Sequence, residues 1–565
     1  MVAVVFVHRN HGSDRMPSIA CTDLDFAWPD GTVVFDGLDL TIGPGMTGLI
    51  GRNGGGKSTL FGLLAGTLRA TGGAVHVDGS VGLLPQHLTL QTSRSVDDVL
   101  GVAAHRRALR AIEAGDVTAE RLELLERWWD VDARARAVLD RLGLRHVGLD
   151  RTVAELSGGE AVLLALAALL LEPPDVLLLD EPTNNLDGRH RARLHEAVDA
   201  YRGVLVVVSH DRALLAHADR IAELRDGTVR VHGGDIDAYD ASVTAGQDAA
   251  RRRVRAARAD LRRQRRDLAA AQVRSDRHAR TGRRDAARGG MPRIVAGARR
   301  RQAQVTAGRI RDIHEDRLEA AERALGDAVA DVRDDDAIDI ALPGTHVPSR
   351  RRVLDCVAVN ATVGGAAVAR GRLWAQAVDL QVRGPERLAL VGANGTGKTT
   401  LLRMLAGVRE VDEGSVHLGV DGVGHLPQRL DLPDEHATLL DTVRRVAPTA
   451  GDNRLRAALA AFGFGGARVA QPVGTLSGGE RFRAVLATVL HAEPPPRLLL
   501  LDEPTNNLDM ATIAQLGRAL VAYEGALVIA SHDLGFMRTV GITRWLLLDR
   551  DRGLEPINPP VDADP

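Results

Sequence analysis

Of the chain's 72 lysines and arginines only two are lysine, Lys57 and Lys398, and each closes a glycine loop. The loops read GRNGGGKS (Gly51 to Ser58) and GANGTGKT (Gly392 to Thr399). Both fit G-x-x-x-x-G-K-[ST], in which backbone N–H groups and one narrow ammonium surround nucleotide phosphates. The planar arginine fork cannot thread such a loop, so lysine persists there in a chain otherwise given over to arginine. Phosphate contacts are expected from Gly51, Asn53, Gly54, Gly56, Lys57, Ser58 and Thr59. The second copy offers Gly392, Asn394, Gly395, Gly397, Lys398, Thr399 and Thr400. The hydroxyls of Ser58 and Thr399 are expected to reach Mg2+.

Further polar residues recur in the same order after each loop. After the first come Gln86, LSGGE (Leu156 to Glu160), LLLDEPTNNLD (Leu177 to Asp187) and SHD (Ser209 to Asp211). After the second come Gln428, LSGGE (Leu476 to Glu480), LLLDEPTNNLD (Leu499 to Asp509) and SHD (Ser531 to Asp533). Asp180 and Asp502 end apolar runs and are read as reaching Mg2+ through its water shell, with helix capping as the structural alternative. Glu181 and Glu503, one residue on, suit a general base that polarises a water in line with a γ-phosphate. His210 and His532 are read as sensing or orienting that phosphate, because the repeat outweighs the usual structural reading of a lone histidine. Ser157, Gly158 and Gly159, like Ser477, Gly478 and Gly479, expose backbone N–H groups at a helix start. Two anion sites facing different ways in one domain predict completion in trans by the other copy.

The elements that must hold these residues follow from the spacing. Each loop follows a short apolar strand (Thr47 to Ile50; Leu388 to Val391) and precedes a helix. Unbroken apolar strands alternating with helices predict an α/β domain with a largely parallel, buried sheet and functional residues at strand C-termini. From Gln86 to Ser157 is 71 residues, against 49 from Gln428 to Ser477, so the first copy carries an extra segment around His105 to Asp130 that reads as helical. Between the copies, Arg251 to Arg301 holds 19 arginines and four aspartates, a net of +15 in a chain of net −2. Val254, Leu261 and Leu268 recur every seven residues, as do Leu318, Leu325 and Val332. Gly289 to Pro292 break the pattern. Two antiparallel helices of roughly 40 residues, about 60 Å each, are expected with a tip near Gly289. Such a charge concentration predicts RNA contact, with Arg283, Arg284, Arg288 and Arg293 arriving first.

The expected domains are 1–15, a disordered extension or misassigned start; 16–240, the first nucleotide-binding domain; 241–345, the arginine-rich hairpin; 346–556, the second; and 557–565, a short tail. Cys21 and Cys356 fit no metal spacing and are expected to be buried thiols in a reducing cytosol. The longest apolar stretch, Ala161 to Leu171, is too short to span a bilayer, and MVAVVFV lacks the basic lead of a signal peptide. A cytoplasmic protein is expected.

Together these motifs resemble the ATP-binding cassette ATPases. The LSGGE signatures, the Gln86 and Gln428 loops and the His210 and His532 switches all match that family. The resemblance implies two P-loop cassettes joined by a helical hairpin, sandwiching two ATP molecules head to tail. One composite site would take Lys57, Ser58, Gln86, Asp180, Glu181 and His210 with Ser477 to Gly479. The other would take Lys398, Thr399, Gln428, Asp502, Glu503 and His532 with Ser157 to Gly159, and both glutamines would belong to the Mg2+ sites. The family's adenine-stacking aromatic falls on Trp28, while the second copy reads NATVGGAAVARG there and has none.

Two cassettes, no membrane span and a long charged connector resemble the ABC-F group of translation factors. EPTNNLD departs from that group's EPTNHLD at Asn185 and Asn507. The first signature, LSGGEAVLL, lacks the basic residues kept as Arg481 and Arg483 in the second. The resemblance implies a monomer with intramolecular cassette pairing that binds the ribosome and reaches rRNA and tRNA through the linker. The extra segment is too short for the long ribosome-gripping arm of some housekeeping members, which leans towards antibiotic protection. The alternative is a fused ATPase subunit of a membrane importer, whose linker would be short. DNA-repair and ribosome-recycling ATPases would need cysteine clusters or a longer coiled coil.

Overall fold

The computed structural model describes residues 5–7, 16–86, 92–184, 186–287, 293–330, 342, 344–363, 371–428, 434–476, 478–506 and 508–560. The chain divides into two compact units, Met1–Ile236 with Asp336–Pro565, and Asp237–Asp335. The first unit holds two copies of one α/β architecture. In the first copy the loop-bearing strand Gly45–Gly51 lies between Val204–Val208 and Arg220–Arg225, with Val176–Asp180 and Val81–Leu84 beyond Val204–Val208, all parallel. The second copy repeats this order with Val423–Leu426, Leu498–Asp502, Ala526–Ala530, Arg387–Val391 and Arg544–Asp549. The strands ending at Asp180, Asp502, Val208 and Ala530 are buried at every residue. Covering both faces of a parallel sheet requires that, and it explains why those runs do not alternate.

A three-stranded antiparallel sheet (Val33–Ile42, Ser18–Ala27, Gly72–Asp78) packs with the helix Lys57–Leu64 in one core. Ile19, Leu24, Phe35 and Phe61 are at most 1 % exposed there; burying each contributes about 1.5–3 kcal/mol. The phosphate loops rest on these cores. Gly56 and Gly397 have φ of +97° and +100°, and a Cβ on either would come within 2.7 Å of Val34 or Leu373. Only glycine fits there, so the loop wraps tightly enough to aim its N–H groups inward. In the second copy the Trp374 indole also donates to Thr396 O at 2.7 Å, pinning the loop from below.

Three residues of the segment expected to be disordered, Val5–Val7, instead form an antiparallel edge strand against Val81–Leu83. An apolar VFV run can satisfy its backbone by adding to an open sheet edge. The extra segment of the first copy is helical, with Ala103–Glu113 and Ala119–Leu125 packed together. Arg106, 4 % exposed, anchors it through Asp97 (2.5 Å), Asp132 (2.7 Å) and Asp150 (3.0 Å). In the second copy Arg483, kept after the signature, is buried and donates to Phe462 O at 3.2 Å. Cys21 and Cys356 are buried free thiols.

The second unit consists of the helices Ile236–Ala287 and Arg293–Ala330. An ion pair of 3.0 Å between Arg265 and Glu322 joins them. Val254 and Leu261 are buried, with Ala321 and Ala328 filling the thin seam. The first helix, at 52 residues, is longer than expected, and the second has 38. The first begins directly after the strand Thr228–Gly233, before the heptad pattern starts. The tip, with Arg288 and Gly289 to Pro292, lies outside the described residues, as do the side chains of Arg283, Arg284 and Arg293. Among the described residues no helix is long and apolar enough to cross a membrane.

Arg106→Met should leave three carboxylates without their shared cation. We expect a loss of about 2 kcal/mol, below the 3–5 typical of fully buried pairs because Asp132 and Asp150 face solvent. Thermal unfolding should show the first transition moved to lower temperature. An unmoved transition would mean that the arginine does not anchor the insert.

Candidate nucleotide sites

Both lysines start the helix that follows their loop and are buried, at 8 % and 7 % exposure. Lys57 Nζ donates to Gly51 O (2.7 Å), Arg52 O (3.1 Å) and Asn53 Oδ1 (3.4 Å). Lys398 Nζ donates to Gly392 O (2.6 Å) and Ala393 O (3.3 Å), and lies 3.1 Å from His532 Nε2. Burial lowers both ammonium pKa values, and the neighbouring carboxylates, led by Glu181 and Glu503, offset part of that.

Glu181 and Glu503 follow the buried strand ends with φ of 50° and 46°. A left-handed glutamate costs about 1–2 kcal/mol and is held by its surroundings. Here the holding bonds run from Glu181 N to Val208 O (2.8 Å) and from Glu503 N to Ala530 O (2.7 Å), the ends of the adjacent strands. Each kink brings its glutamate beside the histidine on that adjacent strand's exit. His210 Nε2 is 3.1 Å from Glu181 Oε1, and His532 Nε2 is 3.5 Å from Glu503 Oε1. Burial pushes Glu181 up to about 8 and Glu503 to about 7, against the pull of Lys57 and Lys398. Burial and the same lysines push both histidines down to about 3. The imidazoles are therefore neutral at ordinary pH, and these contacts are not imidazolium ion pairs.

The rest of SHD holds the histidine in place. Ser209 and Ser531 are fully buried and accept from the N–H of Asp211 and Asp533 at 3.1 Å. Those aspartates cap the next helix through Ala213 N and Phe536 N. Asp502 is 1 % exposed, and neither carboxylate oxygen finds a hydrogen-bond donor in good geometry among the described residues. Burial raises its pKa, with the Thr399 hydroxyl and Lys398 pulling the other way. A buried carboxylate beside a hydroxyl is a donor set that fits Mg2+.

The structure gathers Lys57, Asp180, Glu181 and His210, and likewise Lys398, Asp502, Glu503 and His532. Gln86 and Gln428 are exposed just beyond the strands Val81–Leu84 and Val423–Leu426. Ser157 forms a capping box with Glu160 at its own helix start; Ser477 lies outside the described residues, as do Asn185, Asn507 and most of the second copy's NATVGGAAVARG. Trp28 is 41 % exposed and meets Phe26 edge-on, ring centres 5.1 Å apart.

Two residues that sequence reasoning did not assign to the sites reach the phosphate loops from across the cassette interface. Asp509 caps its own helix through Oδ1, and its Oδ2 accepts from Asn53 N in the first phosphate loop at 3.1 Å. Asp187 likewise caps its helix and accepts from the backbone N–H of Asn394 in the second loop. Their repetition at the end of EPTNNLD was the available signal.

The ABC transporter family profile matches residues 35–184 and 375–506. The tylosin resistance ATP-binding protein TlrC of Streptomyces fradiae is 36% identical over 540 residues, covering 89% of this chain and 92% of that protein. The energy-dependent translational throttle protein EttA of Mycobacterium tuberculosis H37Rv is 30% identical, with 89% and 87% covered. The probable ATP-binding protein YheS of Escherichia coli K12 is 31% identical, with 93% and 78% covered. An archaeal ribosome recycling factor, aABCE1, solved with the stalk protein aP1, superposes with a TM-score of 0.53 over 94% of this chain and 89% of that one. At 20% identity that likeness shows the fold alone. Motifs, tandem sheets and full-length relatives agree: the chain is an ATP-binding cassette protein and belongs to the ABC-F group.

Proposed function

We propose that the chain is a two-site ATPase that binds the ribosome and acts there on translation, in the manner of a factor protecting against ribosome-targeting antibiotics. The observation that carries the reading is the pairing of two sets of nucleotide-site motifs with a separate helical hairpin, in which the 51 residues from Arg251 to Arg301 carry a net charge of +15. RNA phosphates attract such a hairpin through counterion release, and arginine planes stack on unpaired bases. The names of the relatives, tylosin resistance and a translational throttle, point the same way. With a 52-residue helix in the connector, where an importer's linker would be short, the importer reading loses ground.

In each site the loop amides and the buried lysine bind the triphosphate, and Trp28 stacks on adenine at the first. Ser58, Asp180 and Gln86, or Thr399, Asp502 and Gln428, would hold Mg2+, which neutralises phosphate charge when bound. Glu181 or Glu503 accepts a proton from the attacking water. The neutral His210 or His532 stands beside that carboxylate and reaches the γ-phosphate. The signature residues Ser157 to Gly159 and Ser477 to Gly479 close the opposite sites when the cassettes pair around nucleotide.

Glu181→Gln with Glu503→Gln removes both bases while leaving the phosphate loops whole. ATP turnover should fall at least about 100-fold, the scale of losing general-base catalysis. The protein should sediment with ribosomes only when ATP is present. Recovery in a membrane fraction, with none on ribosomes, would overturn the reading in favour of an importer subunit.

Replacing Arg283, Arg284, Arg288 and Arg293 with Gln keeps helix propensity and removes four tip charges. Basal ATPase should be unchanged. Ribosome affinity should drop, and its log–log salt slope should flatten by up to about 0.7–0.9 per lost phosphate contact. An unchanged affinity and slope would reduce the hairpin to a spacer.

A further inference from the structure

The two sites have the same motif residues but not the same neighbours. The helices that follow the two EPTNNLD motifs, Gly188–Ala200 and Met510–Ala522, begin at Asp187 and Asp509. Four residues into each, at positions that both bond back to the capping aspartate's carbonyl, stand Arg191 and Ile513. Ile513 packs against the hydrophobic core of its own cassette. Arg191 crosses to the other cassette: its Nη1 donates to the backbone carbonyl of His532 at 3.3 Å. It lies close enough to Glu503 and His532 to act on the charge of both. The side chain is 18% exposed, so the crossing is made largely out of solvent.

The surrounding charges explain why a cation is tolerated there. Arg191 Nη1 is 3.5 Å from Asp211 of its own cassette. Asp533 of the other cassette is raised by burial, and Asp211 pushes the same way; Arg191 and Arg212 oppose them. The two SHD aspartates thus lie near enough across the cassette interface for Asp211 to act on Asp533, with Arg191 and Arg212 acting there too. Without Arg191 the two like charges would repel across that interface.

We propose that Arg191 is an inter-cassette positioning residue for the site of Lys398, Glu503 and His532, and that the site of Lys57, Glu181 and His210 has Ile513 at the equivalent position instead. By fixing the His532 carbonyl, Arg191 sets where the imidazole stands between Lys398 Nζ, 3.1 Å away, and Glu503 Oε1, 3.5 Å away. Isoleucine has no donor to offer His210. The second site is therefore locked by a residue of the first cassette whenever the two meet, and its turnover depends on that meeting more steeply than the first site's does. This rests on the proposed roles of the two glutamates.

The test reads each site alone. In Glu181→Gln protein only the second site turns over, and in Glu503→Gln protein only the first. Arg191→Met should lower kcat in the Glu181→Gln background by about tenfold, the scale of losing one charge-assisted hydrogen bond, with the KM for ATP within about twofold. In the Glu503→Gln background kcat should change by less than about twofold. Arg191→Lys should restore part of the second-site loss, because it keeps the charge and a donor. Equal loss in both backgrounds, or none in the first, overturns the proposal. If both parent proteins keep the native rate, the base assignment fails instead. The arginine is then decided in the otherwise native chain: an unchanged kcat for Arg191→Met overturns it, and a lowered kcat rescued by Lys upholds it.

Discussion

The backbone N–H of Asn53 donates to Asp509, and that of Asn394 donates to Asp187. These reciprocal bonds join each phosphate loop to the aspartate that caps a helix of the opposite cassette. A carboxylate held by its own helix N-terminus on one oxygen and by a foreign amide on the other cannot shift without disturbing both. Lys57 also feels Asp509, and Lys398 feels Asp187, so the charge of each loop is set partly by the other half of the molecule. The placement of each phosphate loop is thereby tied to the partner cassette, as the proposed two-site ATPase would require. Arg191 adds a third tie, and only in one direction.

Within each site, burial is the dominant force. It weakens the ammonium of both lysines, raises both glutamates and keeps both histidines neutral. Exclusion from water strengthens every remaining dipole. The left-handed kink at Glu181 and Glu503 is a local cost carried by the close-packed parallel strands beside it. The sheet thus supplies both the low dielectric and the geometry.

Much of this was readable from residue order. The two lysines marked the loops, the unbroken apolar runs marked the buried strands, and the acidic pair and histidine fell at strand ends as parallel sheets demand. Val254 and Leu261 marked the hairpin seam. What escaped reading depends on which distant residues meet. Nothing local distinguishes Arg106, which binds three aspartates, from the other arginines around it. Asp187 and Asp509 were visible as the last letters of a repeat, yet each bonds to a loop of the other cassette more than 200 residues away. The difference between Arg191 and Ile513 gains meaning only once both helices are seen to start at the interface. Val5–Val7 pairs with a sheet edge that no motif announces.

The most direct test of cassette coupling is turnover at the first site after a change made only in the second cassette. In Glu503→Gln protein, Asp509→Asn keeps an oxygen to cap the helix at Thr512 but turns an amide NH2 towards Asn53 N. First-site ATP turnover should fall by about tenfold, the scale of one lost charge-assisted hydrogen bond, while thermal stability holds. Turnover equal to that of the parent protein would contradict the coupling and leave two independent ATPases on one chain.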